Sequence, residues 1–195
     1  MNLLLWLPFL LPTSLAALVN VTIDNRYGDP QTGTQFAYSP NGAWFDGPGC
    51  SICKAQPDPT LAYDDTWIDS TFNPLLGGNA FPNTVLTASV NFTGAFPCLP
   101  RAYFHLKYRF LGTAVYVFCI TANGFPDSAS DLTFFLDGVQ VGTYLGAPDG
   151  SPTFDYNVLV YANESLHPGM HSFTLQNGVV NGSKSLVLFD YLTYS

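Results

Sequence analysis

Asp137-Gly138 sits between two apolar runs, Leu132-Thr-Phe-Phe-Leu136 and Val139 to Leu145. A two-residue connection of this kind needs positive φ at both central positions, which Asp and Gly tolerate, so the segment reads as a tight β-hairpin. The rest of the chain follows the same grammar. Phe154 to Tyr161 is a strand candidate, and Ala114 to Ile120 is another. His171 to Gln176 alternates, with Phe173 and Leu175 on one face and Ser172, Thr174 and Gln176 on the other, as a half-buried strand does. Ser185 to Tyr194 is apolar on both faces and belongs in the middle of a sheet. In the N-terminal half, Leu18 to Ile23 and Val85 to Phe92 read as strands, and Thr34 to Tyr38 and Thr66 to Asp69 as weaker ones. Asn41 to Leu76 is rich in Gly, Pro and Asp and reads mainly as long loops. No segment carries a capped apolar stripe at helical spacing. Many short strands separated by turn signals give an all-β fold, a β-sandwich or barrel.

Composition agrees. All acidic residues but Glu164 are Asp, and Lys and Arg together number six. Glu, Lys and Arg favour helices, whereas Asp favours turns. Only 10% of residues are charged and 15% are aromatic, enough apolar material for a large core and against disorder. A net charge of −8 argues against nucleic acid, whose phosphates need a basic surface, and against adsorption to anionic lipid.

Leu3 to Leu11 is an apolar run interrupted only by Pro8, and Ser14-Leu15-Ala16 supplies the small residues of a cleavage site. Residues 1–17 are therefore expected to be a signal peptide, with one domain at 18–195 and secretion as the destination. Four N-x-S/T sequons, at Asn20, Asn91, Asn163 and Asn181, fit an extracellular glycoprotein. Asn91 fits least well, because it lies inside an apolar strand pattern.

Ala95 to Arg109 is out of character. It holds Arg101, Lys107 and Arg109, half of the basic residues, together with Cys98 and His105. Three readings stand: a basic, aromatic binding loop, an extra hairpin, or a retained intron that splits one strand. The third is favoured.

The cysteines are Cys50, Cys53, Cys98 and Cys119, and an oxidising exterior makes all four disulfide candidates. Cys50-Ser-Ile-Cys53 has redox spacing but lies in a Gly/Pro-rich loop, so a structural crosslink is expected. His167 and His171 flank Pro168-Gly169-Met170, which excludes a helical metal pair and suggests surface residues beside a turn. There is no Gly-x-Ser-x-Gly elbow. Asp58, Asp64, Asp65 and Asp69 cluster around Trp67, a pattern that would suit glycoside hydrolysis but equally suits Asp in turns. The chain is read as non-catalytic. Trp44 and Trp67, with Asp46, Asp65 and Asp69 nearby, are the best candidates for a sugar site, in which an aromatic face stacks on a pyranose and carboxylates take its hydroxyls. Core packing is the competing role for either Trp. Asp24 and Asp190, both at strand ends, are candidates to share a structural calcium ion. No other cofactor is expected.

The string Trp44-Phe-Asp-Gly-Pro-Gly-Cys50-Ser-Ile-Cys53, followed by Gln56-Pro-Asp58 and Asp65-Thr-Trp67-Ile-Asp69-Ser-Thr71, resembles a group of fungal secreted or membrane-anchored proteins of undefined role. So do Gly112-Thr-Ala-Val-Tyr-Val-Phe-Cys119-Ile, Phe135-Leu-Asp137-Gly138, Tyr156-Asn157, Leu166-His-Pro-Gly169-Met-His171 and Leu188-Phe-Asp190-Tyr191. The resemblance covers most of the chain after residue 17. It implies a jelly-roll sandwich of the galactose-binding-domain type, the architecture of many carbohydrate-binding modules. It also implies a non-catalytic extracellular role, with glycans or cell-wall polysaccharide as partners. Ile68 stands where that group usually has His. The chain ends directly after its last strand, which suggests a soluble product without a membrane anchor. The alternatives are a structural or adhesive domain without a small ligand, and a glycoside hydrolase.

Overall fold

The computed structural model describes residues 19–75, 80–94, 113–124 and 127–195. The expected signal peptide, residues 1–17, and the segment Ala95 to Arg109, with Cys98 and His105, lie outside the described residues. Eleven strands form among those described: β1 (Val21–Asp24), β2 (Ala37–Ser39), β3 (Phe45–Asp46), β4 (Ile68–Phe72), β5 (Leu86–Gly94), β6 (Thr113–Ala122), β7 (Ser130–Leu136), β8 (Val139–Gly146), β9 (Phe154–Leu166), β10 (Gly169–Asn177) and β11 (Ser185–Tyr194). One sheet runs β3-β4-β11-β6-β9, with β1 also paired to β11, and the other runs β2-β5-β10-β7-β8. Every pairing is antiparallel. From β4 to β7 each successive strand crosses to the opposite sheet, and after the β7–β8 hairpin the crossing resumes through β11. This is the winding of a jelly-roll β-sandwich.

The inner faces make one core. β5 shows why: Leu86, Ala88, Val90 and Phe92 are buried, while Asn91 and Thr93 are exposed. Strand alternation thus turns Asn91 outward, which removes the objection to its sequon. On β10, Phe173 and Leu175 point inward against Phe134. Ser89 and Thr174 share a 2.8 Å hydrogen bond between hydroxyls on the outer side. The outer face of this five-stranded sheet is therefore polar where β5 meets β10. The β7–β8 turn has φ of 52° at Asp137 and 78° at Gly138, as that dipeptide requires.

The six-stranded sheet is different. β11 is central, and its outward residues Leu186 and Leu188 join Trp67 and Ile120 in a second apolar cluster outside the main core. That explains a strand apolar on both faces. The cover over this outer face comes from the loop-rich segment between β3 and β4, which contains two single 3₁₀ turns, Pro59–Leu61 and Tyr63–Asp65. Asp58 caps the first turn, accepting from the Thr60 amide and hydroxyl.

Candidate functional site

On β4, Ile68 and Phe72 enter the main core, so the period of two sends Asp69 and Thr71 to the outer face. Asp69 lies in a cross-strand row, with Phe45 of β3 on one side and Leu188 of β11 on the other. Thr71 faces Leu186 in the next row. This part of the sheet is the floor of a cavity of about 620 Å³. The disulfide loop, Ile52 to Ala55, supplies one wall, and Gly124, Asp127, Ser128 and Lys184 supply another. A cavity of this size falls in the range of small-ligand sites.

Its chemistry is uneven. Asp127 is gripped by two lysines from different loops, Lys184 at 2.9 Å and Lys54 at 3.7 Å. The hydrogen-bonded Lys184 ammonium holds the Asp127 carboxyl below the usual carboxylate range. Asp69 has no such partner. It is 5% exposed, and among the described residues its carboxylate has no hydrogen bond or ion pair. Burial alone raises its pKa to about 6. A buried carboxylate without a donor is costly, and here it borders open space.

Of the residues expected to form a sugar site, the structure brings only Asp69 to this cavity. Both tryptophans are buried, which corrects the expectation of a stacking platform. Trp44 is tucked beside Tyr38, with ring centroids 5.1 Å apart, and its Nε1 donates to the Ser39 carbonyl. Trp67, 2% exposed, lies in the outer apolar cluster, pressed against Gly47. Its indole carries a large apolar area into a layer that the loop closes over. Asp46 and Asp65 are exposed and do not line the cavity. Lys54, Asp127, Lys184 and Phe45 were not anticipated. They come from distant loops, and only the fold assembles them.

Cys50 and Cys53 form the disulfide that shapes the cavity wall, while Cys119 is a free thiol buried in the core. His171 corrects the surface expectation. It is buried, its Nδ1 lies 2.8 Å from Asp137 Oδ2 and its Nε2 lies 2.7 Å from the His167 carbonyl. The Asp137 of the hairpin turn thereby anchors the β9–β10 turn across the sheet. Asn20, Asn91 and Asn181 are exposed and Asn163 is half-buried.

Asp24 and Asp190 meet where β11 loses register between Phe189 and Tyr191. Asp24 accepts from the Arg26 and Tyr27 amides and the Thr66 hydroxyl. Asp190 accepts from the Tyr63 amide at 3.2 Å. The neighbouring Asn25 Oδ1 is buried with no partner. Among the described residues no three His, Cys, Asp or Glu side chains group to hold a metal.

No family model matches the chain, and no curated protein matches it. Solved structures resemble it in fold. A family 35 carbohydrate binding module from Clostridium thermocellum is 10% identical, with 90% of this chain and 97% of that one covered and a TM-score of 0.48. An exo-β-1,3-galactanase from Phanerochaete chrysosporium, in complex with β-1,3-galactotriose, is 12% identical, with 93% of this chain but 30% of that one covered and a TM-score of 0.45. The catalytic domain of a GH87 α-1,3-glucanase with nigerose is 12% identical, with 91% of this chain and 28% of that one covered and a TM-score of 0.41. Among the described residues, no helix is long and apolar enough to cross a membrane.

Proposed function

We propose that this chain is a secreted, non-catalytic carbohydrate-binding domain, working at a cell surface or wall, and that its ligand sits in the cavity above β3, β4 and β11. One observation carries the reading: Asp69 offers a desolvated, unpartnered carboxylate to a cavity that also presents the apolar surface of Phe45 and Leu186. Sugars have hydroxyl donors for the first and C–H faces for the second. The second cavity carboxylate, Asp127, is committed to Lys184 and Lys54, which favours binding over two-carboxylate hydrolysis. An array of oligosaccharides and wall polysaccharides, probed with disulfide-intact protein, tests it. The expected result is a small set of binders whose retention is lost in Asp69→Asn. Absence of any binder would overturn the proposal.

A structural or adhesive role without a small ligand is the second reading. The burial of both Trp44 and Trp67 favours it, as do Val139, Val141 and Leu145, exposed along the edge strand β8. It predicts self-association or surface adhesion that Asp69→Asn leaves unchanged.

A structural cation is a separate proposal. The orphaned Asn25 Oδ1, on a residue that follows Asp24 in the chain and whose Nδ2 donates to the Asp190 carbonyl, is a hard ligand suited to a cation such as calcium, with the Asp24 and Asp190 carboxylates and backbone carbonyls completing the shell. Bound there, calcium would neutralise the carboxylates and tie β1 to β11. Thermal unfolding should shift upward with calcium and return with chelator, and no shift would overturn it.

A further inference from the structure

The cavity holds charge of two kinds, and they are treated differently. At its rim, Lys54, Lys184 and Asp127 satisfy one another. On its floor, Asp69 is left alone between Phe45 and Leu188. Neither lysine pairs with Asp69, and burial pushes its carboxyl up to about 6. A neutral hydroxyl can donate to such a group but leaves its charge uncompensated. A cation supplies both the hydrogen bond and the opposite charge, and charge-assisted bonds are roughly twice as strong as neutral ones. The chain's net charge of −8 also favours approach by a cation.

Thr71 sits two residues along the same face of β4, about 7 Å from Asp69 by strand rise. Its side chain lines the cavity, and its hydroxyl has no hydrogen-bond partner among the described residues. One edge of a sugar ring can thus meet Asp69 while another meets Thr71. Resting on the carbohydrate reading above, we propose that this site selects a hexosamine with a free amino group, its ammonium seated on Asp69 and a ring hydroxyl bonded to Thr71.

Isothermal titration and protein-detected NMR would compare glucosamine and galactosamine, as monomers and short oligomers, with their N-acetyl and 2-hydroxy counterparts. At pH 7 the free amino sugars should bind at least tenfold more tightly. Their affinity should fall about tenfold at pH 5, where most Asp69 carboxylates carry a proton. The preference should vanish in Asp69→Asn, with folding of the variant verified by circular dichroism. Thr71→Val should weaken every cavity ligand by a similar factor without altering the preference for the amine. Equal binding of amino and neutral sugars, or an amine preference that survives Asp69→Asn, would overturn the selection while leaving a glycan site in place. Failure of both sets to bind would overturn the selection together with the reading beneath it.

Discussion

Replacing Asp69 by Asn should make the protein more stable at neutral pH, even as it removes the group on which the proposed site depends. In the folded chain the Asp69 carboxyl is pushed from 3.8 to about 6, because burial disfavours its charged form. The folded state therefore holds this proton more tightly than the unfolded state does. Linkage fixes the sign: the contribution of Asp69 is most favourable below about pH 4, declines as pH rises through about 6, and is flat beyond. A difference of about two pH units corresponds to about 3 kcal/mol at 1.36 kcal/mol per unit. Asn keeps the shape and lacks the charge, so the variant escapes the loss. Denaturant unfolding of both proteins at intervals from pH 4 to pH 7 gives the relevant quantity, the difference between the two curves. That subtraction cancels other titrating groups, such as Asp29 and Asp137, whose carboxyls are held low and which act in the opposite sense. The difference should grow from about 0.5 kcal/mol at pH 4 to about 3 kcal/mol in favour of Asp69→Asn at pH 7. In a domain of this size that is roughly 6–12 °C in Tm. A variant no more stable than the parent at pH 7, or a difference flat across the range, would refute the claim that Asp69 is buried without a partner.

Three further outcomes are expected. Gly47→Ala places a Cβ inside the Trp67 indole, which is backed by Ile120 and Leu188, and should cost about 3 kcal/mol by denaturant unfolding. Burial opposes the charged form of His171, but the His167 carbonyl and the Asp137 carboxylate outweigh it and raise its pKa, while His171 and the Ser172 amide lower that of Asp137. The pair therefore contributes most between about pH 4 and 6.5, fading in acid as Asp137 protonates and in base as His171 loses its proton; Asp137→Asn should lower the His171 midpoint in an NMR titration. Cys53→Ser opens a very short disulfide loop, so stability should fall by only about 2 kcal/mol, whereas affinity at the cavity should fall several-fold as the wall from Ile52 to Ala55 loosens.

The fold was largely legible in the chain because its strands announce themselves locally. Asp137-Gly138 marked a hairpin, the alternation through Phe173 and Leu175 marked a strand with one buried face, and Ser185 to Tyr194 marked the sheet centre. The apolar pattern of β9 stops at Tyr161 although the strand runs to Leu166, because Ala162, Glu164 and Ser165 are exposed and carry no buried alternation. The site was much less legible. Asp69 was among the residues named, but its meaning comes from the neighbours the sheet gives it. Trp44 and Trp67 misled because an aromatic in a loop-rich stretch can equally be the loop's own anchor, and here the loop folds onto the outer sheet face. Lys184 and Asp127 lie 57 residues apart and carry no local pattern. The burial of His171 is not legible from its Pro-Gly neighbourhood, since nothing local shows that the Asp137 carboxylate reaches it.

The central claim is that the cavity over β3, β4 and β11 is where a glycan binds. A heteronuclear NMR titration with the strongest array binder tests it most directly. Saturable shifts should concentrate at Phe45, Asp69, Thr71 and Lys184, with none in Asp69→Asn. Shifts confined to another surface, such as the exposed edge of β8, would contradict it.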